Sequence, residues 1–217
     1  MDTRTVALVP VSIIALMIGA SIFALFWLPV NALVPTHFNL SGKPDAFGPP
    51  VVAFSLLPAV AIAGLPILML VVRKAEGGGV RPAAALRIAG LAPLFVLAVT
   101  HGLVIAYTLG VEVNVTRVLI LVVGLTLIGT GNVLGKVRSN CWIGIRTPWT
   151  LRDERVWDRT HRFGGWIFVG AGTALALSAL VIPAGPVLGA VLFAMLSAVV
   201  IVPSVKSYLL WRNRENI

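Results

Sequence analysis

The sequence predicts an all-α polytopic membrane protein with six transmembrane helices and an interfacial basic helix in the cytoplasmic loop between spans four and five. Three observations predict it. The 217 residues are 58% hydrophobic and 12% charged, with mean hydropathy +0.97, more apolar surface than a soluble domain of this size can bury. Six apolar runs each reach the ~20 residues that cross ~30 Å of hydrocarbon. The 17 lysines and arginines lie at the ends of these runs, a pattern that orients a membrane protein and does not indicate nucleic-acid binding.

The runs fall at 6–33, 51–72, 86–109, 115–135, 163–183 and 187–210. The first is too long for a signal peptide and lacks a small-x-small cleavage site, so it reads as a span. Six spans put both termini on one side. With the termini in the cytoplasm, only Lys43 and Arg117 face outward and the other 15 basic residues face inward; the positive-inside rule selects that orientation. The outer loops are then 34–50, 110–114 and 184–186, and the inner loops 73–85, made flexible by Gly77-Gly78-Gly79, and 136–162. The chain reads as one membrane domain, 1–217, with an N-terminal region 1–75 carrying outer loop 34–50 and a C-terminal region 115–217 carrying the long inner loop. Prolines 10, 29, 58, 66, 93 and 203 interrupt apolar runs and predict kinks. Gly131-x-x-x-Gly135, Gly185-x-x-x-Gly189 and Gly170-Ala-Gly172 with Ala176 offer close-packing faces, either within the monomer or in a dimer.

The long inner loop is the most specific feature. Residues 142–166 hold four of the six tryptophans, and 136–162 carry seven basic residues against three acidic. Pro148 disfavours helix at Thr147. Thr150, followed by Asp153 and Glu154, resembles an N-cap with acids in the first turn, predicting a helix that starts at 149–151. Trp149, Val156, Trp157 and Thr160 then share one face, and Arg152, Arg155, Arg159 and Arg162 recur every three or four residues, with Asp158 in reach of Arg155 or Arg162. This is a basic helix with an aromatic edge, suited to the headgroup level, running on into span five with Gly164-Gly165 as a possible kink. Before it, Gly144 and Pro148 flank Arg146 in a turn that aims the guanidinium at a lipid phosphate, helix-end carbonyls or a partner's carboxylate. The plainer alternative is an anchor belt of Trp and Arg, though the segment is more elaborate than anchoring requires.

In the outer loop, Pro35, Gly42 and Pro44 stiffen the chain, and His37, Asn39 and Asp45 supply polar side chains. Stiff, polar and outward suits a receptor for an external ligand, with His37, Asn39, Gly42 and Asp45 as candidate contacts; the alternative is a capped loop in which Asn39 and Asp45 bind backbone. His37 and Asp45 alone are too few for a metal site. His101, mid-span in the third run, is a functional candidate by its position; the alternative is a neutral imidazole hydrogen-bonded across helices, to a threonine or near Tyr107. Asn132 reads as a helix-packing hydrogen bond, Lys206 as a snorkelling side chain, and Glu112 with Arg117 as a surface pair. The lone Cys141 excludes an internal disulfide. There is no HExxH, nucleotide-binding or Ser-His-Asp pattern, and no acid inside the spans to relay protons, so no enzyme and no cofactor are expected.

Asn140-x-x-Ile143-Gly144-Ile145-Arg146-Thr147-Pro148-Trp149-Thr150-Leu151 with Val156-Trp157-x-x-Thr160-His161, led in by Gly131-Asn132-x-x-Gly135-Lys136, resembles the signature of the SdpI family. These are bacterial membrane proteins named for immunity to a secreted killing peptide. The outer loop, from Leu28-Pro29 to Pro44-Asp45, is similar to a domain of unknown function that precedes the SdpI region. The resemblance covers most of the chain. It implies a multi-pass protein of the bacterial cytoplasmic membrane that binds a secreted antimicrobial peptide outside, protects the cell, and holds a cytosolic repressor inside. On the residues alone, a small-molecule or ion transporter marked by His101, Asn132 and the proline-broken spans, and a scaffold subunit of a membrane complex, stay open.

Overall fold

The computed structural model describes residues 3–29, 31–77 and 83–213. An apolar segment in hydrocarbon must satisfy its backbone internally, and a helix does so. Six form: α1 (Thr3–Trp27), α2 (Pro50–Gly77), α3 (Ala83–Thr108), α4 (Val115–Leu134), α5 (Glu154–Val181) and α6 (Pro186–Arg212). All six are long and apolar enough to cross a membrane, so the chain is a multi-pass membrane protein. With six successive spans, α1 starts and α6 finishes at the same end of the bundle, the terminal end. Of the inner loop expected at 73–85, residues 73–77 belong to the end of α2 and 83–85 to the start of α3, while 78–82 lie outside the described residues.

α1 stops six residues before the end of its apolar run. Pro29 disfavours helix at Leu28, and the chain then extends into β1 (Val34–Phe38), which pairs antiparallel with β2 (Pro44–Gly48). The sequence reading treats this segment as a stiff loop; strand pairing is the correction. Its turn is local: the Gly42 N–H donates to the Asn39 carbonyl (2.9 Å), and Gly42 sits at φ +80°, which glycine adopts without penalty.

α1, α2 and α3 pack together through Ile14, Met17, Ala61 and Leu94, and nearer the hairpin through Ala24, Val34, Phe54 and Ile105. α5 packs between α4 and α6 around Ile120, Leu175, Ala179 and Leu188. The α4–α5 crossing depends on missing side chains. A Cβ on Gly124 would lie 2.7 Å from the Gly172 carbonyl, and one on Gly131 2.7 Å from that of Gly165, so the backbones touch. Gly131 and Gly172, read as close-packing positions, pack within the monomer. Gly164-Gly165, read as a possible kink, lies inside an uninterrupted helix, where Gly164 makes room for Ile145. Arg117 donates to the carbonyls of Ala179 and Leu180 at the end of α5; it serves a helix C-terminus instead of pairing with Glu112.

Candidate functional site

The hairpin is fastened to the bundle by backbone groups, which leaves its ionisable side chains outside. Asn39 Oδ1 accepts from the N–H groups of Ser41 (2.9 Å) and Lys43 (3.2 Å), closing the turn. The Thr116 hydroxyl donates to the Asn39 carbonyl (2.8 Å), and Asn114 Nδ2 donates to the Ser41 carbonyl (3.1 Å). Asn114 also caps α4, accepting from the Arg117 N–H (3.0 Å), so one side chain starts a helix and holds the hairpin. A Cβ on Gly42 would lie 2.2 Å from Asn114 Oδ1, which makes glycine obligatory there for space as well as for φ. His37 Nδ1 lies 2.5 Å from Asp45 Oδ1 across the hairpin, with the two side chains 66% and 44% exposed. Beneath β1, a cavity of about 250 Å³ is walled by Phe38, Leu57, Thr100, Val104 and Thr116. Of the sequence candidates here, His37 and Asp45 meet each other, while Asn39 and Gly42 build the turn.

At the terminal end, residues 135–153 fold over the start of α5. The Asn140 amide organises the first part: Oδ1 accepts from the N–H groups of Trp142 and Ile143 (both 2.8 Å), and Nδ2 donates to the carbonyls of Arg138 (2.9 Å) and Ile143 (3.0 Å). Gly144, at φ +125°, lies so close to α5 that a Cβ would fall 2.4 Å from His161 Nε2 and 3.1 Å from the Trp157 ring. The Ile145 N–H donates to His161 Nε2 (2.9 Å) and His161 Nδ1 donates to the Trp157 carbonyl (2.9 Å). A backbone donor on one nitrogen and a carbonyl on the other select the neutral ring protonated at Nδ1. The Trp157 indole stacks on that ring, centroids 3.9 Å apart, and its Nε1 donates to the Val137 carbonyl (2.7 Å).

Thr150 is a staple, not the N-cap. Its hydroxyl donates to the Ile145 carbonyl (2.8 Å) and accepts from the Thr147 N–H (3.0 Å). Thr147 is non-helical, as Pro148 requires, and its hydroxyl lies 2.9 Å from that of Ser207 on α6. Trp149 packs on Tyr208, ring centroids 5.1 Å apart. The cap is Asp153, which accepts from the N–H groups of Arg155 (2.8 Å) and Val156 (3.2 Å), so the basic helix begins at Glu154, later than the expected 149–151, and continues straight into the span. Trp157 is fully buried and does not dip into headgroups: the loop folds over the face that the sequence reading left bare. Arg146 is exposed and, among the described residues, has no partner, so no protein acceptor holds its guanidinium.

Two polar side chains in the spans differ from expectation in their partners. His101 is buried, with Nε2 3.0 Å from Ser21 Oγ and 3.1 Å from the Met17 carbonyl; neither Tyr107 nor a threonine is involved. The Ser21 hydroxyl also reaches the Phe54 carbonyl (3.0 Å), so this network joins α1, α2 and α3. Among the described residues His101 Nδ1 has no partner. Asn132 is exposed and donates back to Ile128 of its own helix (3.0 Å); it does not bridge helices, because the glycine crossing leaves no gap to span. Sequence reasoning missed Ser21, Asn114, Thr116 and Ser207. Asn114, directly before an apolar run, carried a readable cap signal; the others are single hydroxyls with no local signature.

The family model of the SdpI/YfhL protein family matches residues 136–207, and that of a domain of unknown function (DUF1648) matches 13–62. The chain is 30% identical over 171 residues to the immunity protein SdpI of Bacillus subtilis (strain 168), covering 78% of this chain and 79% of the relative. No solved structure matches. Identity at that level across most of both chains, together with the family match over the segment built around Trp157 and His161, makes this chain a member of the SdpI family.

Proposed function

We propose that this chain is an immunity and sensor protein that binds a secreted toxic peptide at its hairpin end, protects the membrane that carries it, and engages a cytosolic repressor at its terminal end. It works by binding and not by catalysis. The relative's name, immunity protein, supports the general role. The observation that carries the recognition step is the hairpin itself. A braced turn presents the His37–Asp45 pair to water above an apolar-walled cavity of about 250 Å³, so one surface offers a polar contact and a seat for an apolar side chain. At the other end, Arg146 is the charged residue that the 140–151 motif leaves exposed, while Asn140, Gly144, Thr147, Trp149, Trp157 and His161 build the platform beneath it.

The test is expression in a strain sensitive to the secreted peptide of a related system. Protection, together with peptide binding by the purified protein, supports the reading; binding without protection reduces it to a receptor, and the absence of both overturns recognition. Orientation has its own test, motivated by the 15-to-2 distribution of basic residues. In a Cys141→Ser background, Ser41→Cys is expected to react with an impermeant thiol reagent on intact cells. Native Cys141, exposed at the terminal end, is expected to react only after permeabilisation; labelling of Cys141 in intact cells contradicts the cytoplasmic placement.

A further inference from the structure

A cleft of about 320 Å³ opens between α4 and α5 at the terminal end, beside the first residues of the inner loop. Its floor is the Gly131–Gly165 crossing, where the backbones touch. Asn132, Lys136, Arg162 and Trp166 stand around it. Among the described residues neither the Lys136 ammonium nor the Arg162 guanidinium has an ion-pair or hydrogen-bond partner, and Asp158, one turn before Arg162, does not reach it. Two cations therefore share a concave site with no counter-charge from the protein. Trp166 is 78% exposed on α5, and an exposed indole near the end of a span marks the headgroup layer, which sets the depth of the cleft. Asn132 adds chemical direction. One of its two amide N–H groups goes to the Ile128 carbonyl (3.0 Å), and Oδ1 remains as an acceptor suited to a hydroxyl.

We propose that this cleft binds one anionic phospholipid with a hydroxylated headgroup. Lys136 and Arg162 hold the phosphate, Asn132 Oδ1 accepts from the headgroup hydroxyl, and the acyl chains lie along α5 beside Trp166. The lipid also supplies the charge that the two cations lack, fastening the α4–α5 crossing at the end where the platform is built.

The experiment uses the full chain purified in neutral detergent, with native mass spectrometry and thermal unfolding as readouts. Phosphatidylglycerol is expected to stay bound and to raise the melting temperature more than phosphatidylcholine does. Lys136→Gln with Arg162→Gln is expected to weaken phosphatidylglycerol binding by roughly tenfold or more, while Arg152→Gln, which removes one charge elsewhere on the same end, leaves it unchanged. Asn132→Ala is expected to erase a preference for phosphatidylglycerol over phosphatidic acid. All three variants alter exposed side chains, and unfolding in lipid-free detergent reports whether each is folded. Equal stabilisation by phosphatidylcholine, full retention of phosphatidylglycerol by the double variant, or an equal loss in Arg152→Gln overturns the site. If inorganic phosphate reproduces the stabilisation, the lipid assignment fails and the cleft is a free-anion site. An unchanged preference in Asn132→Ala overturns the hydroxyl contact.

Discussion

In the hairpin, the His37 and Asp45 side chains hydrogen-bond to each other and remain 66% and 44% exposed; at the other end, Trp157 and His161 are wholly buried against a loop that is threaded onto them. Both segments are polar insertions in an oily chain, and both attract a functional reading for that reason. The difference teaches how to separate the two kinds. At the hairpin, scaffolding falls to backbone carbonyls, Asn39, Gly42 and Asn114, so the ionisable pair is left without a structural task. At the terminal end, most motif residues are consumed in scaffolding, and a tryptophan that looks like a membrane anchor is the centre of a small core.

The largest break in this comparison is Trp157→Ala. It removes a fully buried indole, its hydrogen bond to Val137 and its stack on His161. The expected cost is about 3–5 kcal/mol, measured as lost stability in detergent, with the loop from 136 to 153 becoming protease-sensitive. If Trp157 instead anchored in headgroups, that stability would barely change. Next in size is Gly144→Ala. The new Cβ would sit 2.4 Å from His161 Nε2 at a φ of +125°, costing about 1–3 kcal/mol; a neutral result in the same unfolding assay means that the loop does not press on α5.

What could be read without coordinates follows from these two examples. The six spans and the inner motif were legible because hydropathy and turn chemistry are local and the bilayer punishes exceptions. The burial of Trp157 was not, since whether a helix face meets lipid or a folded loop depends on residues twenty positions away, at Val137. His101 and Ser21 lie eighty residues apart, and nothing in either neighbourhood announces the pair. Strand pairing in the hairpin was not legible because its two extended runs have only five residues each and both carry a proline, which argues against a strand.

Asn114→Ala sharpens the other side of the comparison. It deletes the α4 cap and the Ser41 tether together, with an expected cost of about 0.5–2 kcal/mol. Hydrogen exchange should quicken across 34–48 and stay unchanged across 136–153. Loosening of both segments would mean that the two ends are not independent structural units.

The smallest expected stability effect comes with the largest expected functional one, and it tests the central claim that the hairpin recognises while the loop supports. His37→Ala with Asp45→Asn removes an exposed pair, so its cost should stay within about 0–1 kcal/mol. Melting temperature and peptide affinity are measured side by side on this variant, using a peptide that the parent chain binds. The account predicts an unchanged melting temperature with peptide binding lost; unchanged peptide binding in a folded double variant would contradict it.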